Sequence, residues 1–425
     1  MAFINDKGET REKSPSSLKS KGDGIHSGHL LTNPLRVLMP LGLGTALSLM
    51  GDATLYTVLP THTAEAGISL AAVGIILSAN RIVRLFLNGP TGLAYDRSHR
   101  RRLFIPALFI GALSTAIYAA TSGFWPLLMG RLLWGLAWSG IWVGGATIIL
   151  DTTTYQDRGR WTGLYQIWFF LGIALGSLFG GTLTDLLGYQ ETMWVAASVG
   201  FISFITALIF LPETRHVSSN DPKTHILATP TPWRSSRQFW AAISIQGINR
   251  FVTAGVLAAT MALLVQEQLG VTNIPLGIAT ATGILMAGRT LLGILAAPLA
   301  GVASDKIGSR RRVTSAGLFI GMIGMFLVSR DNPHTILIGI VLGAIAGSSL
   351  QALTTAIVGD TAGDVYRGRA IGLLHTSGDL GSALGPLVAY ALLPWIGLSG
   401  VYTLCASLFL LGLILNLGLG QPKHE

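Results

Sequence analysis

Charge is scarce in this chain: Asp, Glu, Lys and Arg make up 12% of its 425 residues. Soluble domains carry about 25%, so the composition excludes a chain solvated on every side. Cysteine is nearly absent. Cys405, inside the last apolar run, is the only one, which leaves no intramolecular disulfide and no Cys-ligated metal site. An apolar leader is missing as well. Residues 1–35 are polar and rich in Gly, Ser and Lys, and the first apolar run opens near Val37, so a disordered tail and no cleavable signal peptide are expected. No phosphate-binding loop, H-E-x-x-H or G-x-S-x-G motif occurs, which argues against an enzyme. The loops between the runs carry no Asn-x-Ser/Thr acceptor away from the basic side, in keeping with a bacterial plasma membrane.

Apolar residues make up half of the sequence, with 53 glycines and a mean hydropathy of +0.56. Apolar stretches near or above 18 residues, the length that crosses the hydrocarbon core as a helix, recur along its whole length. Twelve are expected, the last three over 335–357, 370–392 and 398–417. Glycine is tolerated in such helices and lets them pack closely. The net charge of +9 would fit a polyanion binder if it were spread evenly. Instead Lys and Arg concentrate in the N-terminal tail, in alternate loops and at Lys423. That is the positive-inside pattern, which predicts cytoplasmic termini and no nucleic-acid partner. Residues 212–235 are polar, with four prolines, and read as a cytoplasmic linker. The expected architecture is an all-α membrane protein of twelve transmembrane helices in two pseudo-symmetric six-helix halves, 36–211 and 236–418, with a short tail over 419–425.

An internal repeat supports the two halves. Gly92, Asp96 and Arg97 reappear as Gly301, Asp305 and Lys306; Asp151 and Thr152 as Asp360 and Thr361; Gly163, Gly172 and Gly176 as Gly372, Gly381 and Gly385, every pair offset by 209. Arginine triplets at Arg100–Arg102 and Arg310–Arg312 follow the same plan, shifted by one. Matching loops fall on the same side of the membrane, so the repeat is parallel, about an axis along the membrane normal.

At these residues the chain resembles the major facilitator superfamily over 37–417, most closely its drug:proton antiporter group with twelve helices. Gly92, Asp96, Arg97, Arg100 and Arg101 look like that family's loop 2–3 signature, with His99 in place of its usual glycine. Gly301, Asp305, Lys306, Gly308, Arg310 and Arg311 look like the second copy. Arg131 to Gly135 (RLLWG) resembles the motif associated with proton coupling. Gly172, Gly176, Gly180 and Gly181 resemble the antiporter motif of helix 5, with Ser177 where that motif has proline; Gly381, Gly385 and Pro386 are the related set in helix 11. The resemblance implies that Asp96 meets the N-terminus of helix 11 and Asp305 that of helix 5. A carboxylate is stabilised there, which would latch the cytoplasmic side until that side opens.

Ionisable residues inside spanning helices are costly and usually face a cavity with a partner. They are Asp52, Arg81, Arg84, Arg131, Arg250, Arg289, His375 and Asp379. Asp52 and Arg131 occupy the outer halves of helices that line one half-cavity in the resembled fold. Burial favours the protonated carboxyl and a neighbouring guanidinium the ionised one, so a site balanced between them can exchange a proton. We read Asp52 as the proton carrier and Arg131 as its partner, with the proton as coupling ion and no cofactor or metal. Arg84 lies close enough to the cytoplasmic end to snorkel. His375 and Asp379, one turn apart, form a rival proton site, and Arg250 and Arg289 lack a local counter-ion. Trp134, Trp138 and Trp142 make an aromatic stripe that reads as packing or as a cavity wall. Tyr56, Gln166 and Trp168 complete the cavity expectation. The reading is a monomeric, proton-coupled exporter of small lipophilic compounds. Its rivals are an importer or facilitator of a sugar or organic anion, and a non-transporting membrane receptor.

Overall fold

The computed structural model describes residues 34–153, 157–214, 236–269 and 277–418. Nearly all of the expected N-terminal tail, most of the linker, and the C-terminal tail with Lys423 lie outside them. Among the described residues there is no strand. The first half comprises α1 Pro34–Val58, α2 Leu70–Arg97, α3 Arg100–Ala120, α4 Phe124–Thr152, α5 Arg158–Leu187 and α6 Tyr189–Phe210. The second opens with α7 Arg237–Gln268, α8 Ile278–Ile307, α9 Arg310–Val328 and α10 Pro333–Ala362. Serines start two of these helices: Ser236 accepts the N–H of Phe239 at 3.3 Å and Ser309 that of Arg312 at 3.4 Å, relieving orphan donors of the first turn.

The helical trace runs on to Gly418 for 86 residues. Straight, it would measure about 129 Å, against a hydrocarbon core of about 30 Å. It folds back instead. Gly339 and Gly412 both abut α9, at Gly324 and Leu318. Gly397 stands at φ 64°, a left-handed conformation that glycine adopts without strain. The stretch Arg369–Gly418 therefore crosses twice, as α11 up to residue 396 and α12 from 398. Eleven helices among the described residues are long and apolar enough to span a membrane, and the turn at Gly397 makes twelve crossings, as the sequence predicts.

Large apolar side chains such as Phe86, Leu186 and Leu299 are exposed on the bundle's outside, the surface a bilayer covers. Trp125 and Trp395 mark its far end and Trp240 its arginine-rich end, where aromatic rings favour the membrane–water boundary. Within the first half α1 packs on α5 and α6, α3 on α4 and α6, and α2 on α4. Between the halves α5 meets α8 and α2 meets α11.

The core is distributed unevenly along the membrane normal. At the far end one apolar cluster joins both halves, including Leu55, Val73 and Leu77 with Val256, Ala279 and Tyr390. Toward the arginine-rich end the halves have separate cores, one around Phe104, Ile141 and Tyr165 and one around Phe239, Val358 and Leu374. The halves are thus joined at the far end and parted at the arginine-rich end. The far-end seam is itself pseudo-symmetric. Gly74 of α2 lies against the Pro386 carbonyl of α11, and Gly283 of α8 against the Ser177 carbonyl of α5; both partners are again 209 residues apart.

Candidate functional site

The glycines of α5 and α11 set how closely the helices around the cavity approach. A Cβ on Gly176 would stand 2.6 Å from Met50 Cα of α1, and one on Gly180 2.6 Å from Thr54 Cγ2. Gly172 packs on Ala46, and Gly181 on Ala279 of the opposite half. In the second half a Cβ on Gly381 would lie 3.1 Å from Phe251 N and one on Gly385 2.7 Å from Phe251 O, both in α7. Backbone-to-backbone contact of this kind needs small residues.

Between the halves lies a cavity of about 240 Å³. One wall comes from the first half and is aromatic: Trp134 and Trp138 stack with centroids 5.9 Å apart, and Phe169 lies 5.8 Å from Trp138. The stripe on α4 is therefore both packed core and cavity wall. Trp168 does not line this cavity and packs instead on Gly42 of α1.

Asp52 reaches the cavity from α1 and forms an ion pair with Arg131 of α4, as the sequence predicts. Arg131 is fully buried and also donates to the Ile76 carbonyl at 3.3 Å. Its guanidinium lies 5.2 Å from the Tyr56 ring centroid, and that of Arg81 lies 5.0 Å from the same ring. The Tyr56 hydroxyl donates to the Leu77 carbonyl at 2.8 Å.

The other basic residues of the cavity differ more from expectation. Arg84 does not snorkel to the membrane surface. It turns inward and meets both oxygens of Asp379, at 2.9 and 3.1 Å, joining the two halves. The reason is a carboxylate 295 residues away in sequence, Asp379 of α11. Asp379 is thereby committed to Arg84, and no bond joins it to His375. His375 and Gln166 are exposed and line no part of the cavity; both sit where the halves part. Arg81 donates to the carbonyls of Ala254 at 2.8 Å and Ser382 at 2.5 Å. Arg289 donates to the Thr253 carbonyl at 2.7 Å. Arg250 lines the cavity and makes no hydrogen bond or ion pair among the described residues.

Thr253 and Ala254 belong to a π-helical turn, Phe251–Leu257, in the middle of α7. Such wide turns are rare and concentrate at functional sites. Here the carbonyls it presents are the ones that Arg81 and Arg289 take. The apolar pattern of α7 gives no sign of it, and Asn80, Phe170, Ser348 and Gln351 on the cavity wall were equally silent in the sequence.

At the arginine-rich end the repeated motifs form mirrored pairs. Arg100 bonds Asp151 at 2.7 Å and Arg310 bonds Asp360 at 2.8 Å. Arg101 donates to the Leu208 carbonyl, and Arg311 to the Asn416 and Leu417 carbonyls at 2.8 and 2.6 Å, so each caps the end of its half's last helix. Asp96, Arg97, Asp305 and Lys306 are exposed, and a Cβ on Gly92 or Gly301 would meet no atom within 4 Å.

The sequence profile described as Major Facilitator Superfamily matches residues 41–287 and 239–425. Multidrug resistance protein MdtG of Escherichia fergusonii is 22% identical over 397 residues, 92% of this chain and 96% of its own. The MdtG of Salmonella arizonae is 26% identical over 331 residues, 76% of this chain and 78% of its own. The inward-facing, occupied crystal structure of a bacterial homologue of the human lysosomal transporter Spinster matches with a TM-score of 0.73 at 16% identity, covering 91% of this chain and 95% of that one. At that identity the likeness is one of fold.

Proposed function

The chain belongs to the Major Facilitator Superfamily, a family of membrane transporters and not of enzymes, and on that premise we propose that it is a proton-coupled exporter of small lipophilic compounds. The observation that carries the reading is the Asp52–Arg131 pair at the cavity wall. A carboxylate open to the cavity on one side and answered by a guanidinium on the other is suited to alternate between proton and substrate. The name multidrug resistance protein, carried by the MdtG relatives, supports export. The arginine-rich side is cytoplasmic by the positive-inside rule, the membrane is a bacterial plasma membrane, and the chain works as a monomer. Substrate enters from the cytoplasm in the arrangement described above. The halves then rock about the cavity, and Asp96 and Asp305 stabilise the closed cytoplasmic side at the N-termini of α11 and α5.

The test is made in proteoliposomes, with a compound selected by ligand-induced thermal shift. Asp52→Asn is expected to abolish transport driven by a pH gradient and to spare exchange at equal pH, because the neutral amide resembles the protonated acid. Wild-type gradient-driven accumulation in the variant would remove Asp52 from coupling. An importer of a polar anion is the second reading, favoured by the four arginines that line the cavity. Protons released from the vesicle on adding the compound, against protons taken up with it, separate the two.

A further inference from the structure

The cavity's charge is unbalanced. Arg81, Arg84, Arg250 and Arg289 line it against one lining carboxylate, Asp52. Asp52 is answered by Arg131 and Arg84 by Asp379. That leaves Arg81, Arg250 and Arg289 with no carboxylate. Arg81 and Arg289 donate to backbone carbonyls, which are dipoles and cancel no charge. The Arg250 side chain makes no hydrogen bond or ion pair among the described residues; the acid that acts on it, Asp379, is already bonded to Arg84. Guanidinium stays protonated in proteins, and an unanswered charge within the membrane's thickness is costly. An acceptor must come from elsewhere.

We propose that the substrates of this cavity are small amphiphilic organic anions, with a carboxylate, sulfonate or phosphonate head held by Arg250 and an aromatic or aliphatic body against Trp134, Trp138 and Phe169. The inference rests on the reading of the chain as a transporter whose substrate occupies this cavity, and it names the class. A lipophilic cation would place a fourth uncompensated positive charge in the same space and meet repulsion from three guanidinium groups. The cavity's modest volume of about 240 Å³ suits a body of one or two rings, and a planar head with two oxygens matches the guanidinium fork.

The experiment compares two probes of the same body and opposite charge, naphthalene-2-sulfonate and 2-naphthyltrimethylammonium, by isothermal titration calorimetry on the purified full chain in detergent. The sulfonate is expected to bind about ten-fold or more tightly than the ammonium, and Arg250→Gln to weaken the sulfonate about ten-fold or more, the loss typical of a hydrogen bond to a charged group. Arg250→Lys, which keeps the charge without the fork, should recover part of that loss. Equal or preferential binding of the ammonium, binding of neither, or an Arg250→Gln protein that still unfolds cooperatively and binds the sulfonate like the wild type overturns the proposal. If Arg250→Gln fails to fold, Arg289→Gln is read in the same way. Equilibrium binding needs no proton gradient, so a protein that binds the sulfonate and moves no protons fails the exporter reading alone, and one that shows proton-coupled flux of another compound without binding the sulfonate fails this inference alone.

Discussion

Tyr56 stands between two guanidinium groups, with Arg131 behind it and Arg81 in front. Its ring faces both positive charges, and each such contact contributes roughly 0.5–2 kcal/mol. Its hydroxyl bond to Leu77 contributes about 0.5–1.5 kcal/mol more. Tyr56→Phe is therefore expected to lower thermal stability slightly and keep transport. Tyr56→Leu loses the face as well, and should cost more stability and slow gradient-driven flux by loosening the Arg131–Asp52 pair. Matching behaviour of the two variants in thermal unfolding and flux would mean that the ring only fills space. At this scale the sequence was legible where charge was rare. Asp52 and Arg131 were the only acid and base that a shared half-cavity could bring together in the outer part of the first half. It misled at Arg84, because distance to the helix end is visible in a sequence and a partner on another helix is not. Arg250 was legible as a residue without a local counter-ion; Asp379, which acts on it, makes its salt bridge with Arg84 instead.

The repeated glycines differ in what surrounds them. Gly385 is closed in by α7 at Phe251 and Gly255, whereas Gly163 and its counterpart Gly372 have no atom within 4 Å of a built Cβ. Gly385→Ala should force α7 and α11 apart and destabilise the protein by about 1–3 kcal/mol, the usual penalty of overpacking. Gly163→Ala should be neutral or stabilising in unfolding experiments, since Ala is favoured over Gly in a helix by up to about 1 kcal/mol. Both open glycines lie on the parted, arginine-rich ends of α5 and α11. If those ends meet when the cavity closes on that side, Gly163→Leu and Gly372→Leu should slow turnover with stability unchanged; unaltered flux in both would make the two positions mere surface. The periodic spacing of Gly172, Gly176 and Gly180 announced close packing in the sequence. The π turn of α7 could not be read, because FVTAGVL fits a regular helix equally well. The arginine triplets marked the repeat and the basic side in the sequence, but that two of these arginines cap helix ends and two bind the aspartates of the same repeat is set by tertiary contact and was not legible there.

For the molecule as a whole, the relevant balance is between a joined far end and a parted arginine-rich end, and carboxylates at helix N-termini act on both. On the far side Asp185 of α5 accepts the N–H of Thr280 at 2.6 Å in the first turn of α8, across the boundary between the halves. No sequence motif marked this contact, whereas the repeat did mark Asp96 and Asp305. A carboxylate at a helix N-terminus contributes about 0.3–1 kcal/mol, which corresponds to a roughly two- to five-fold change in the ratio of two conformations. Asp185→Asn removes the charge from the contact that holds the far side closed, so the population should move toward the far-open arrangement. Asp96→Asn removes the charge expected to hold the arginine-rich side closed, so it should move the population the other way. Spin labels at Ser98 and Ser309, one on each half at the arginine-rich end, introduced after Cys405→Ser, report both changes as one distance distribution. The distance should shorten on average in Asp185→Asn and lengthen in Asp96→Asn. Opposite shifts of that sign are what two latches on opposite faces require; shifts in the same direction, or none in either variant, would leave apolar packing of the far-end core as the sole determinant of which side stands open.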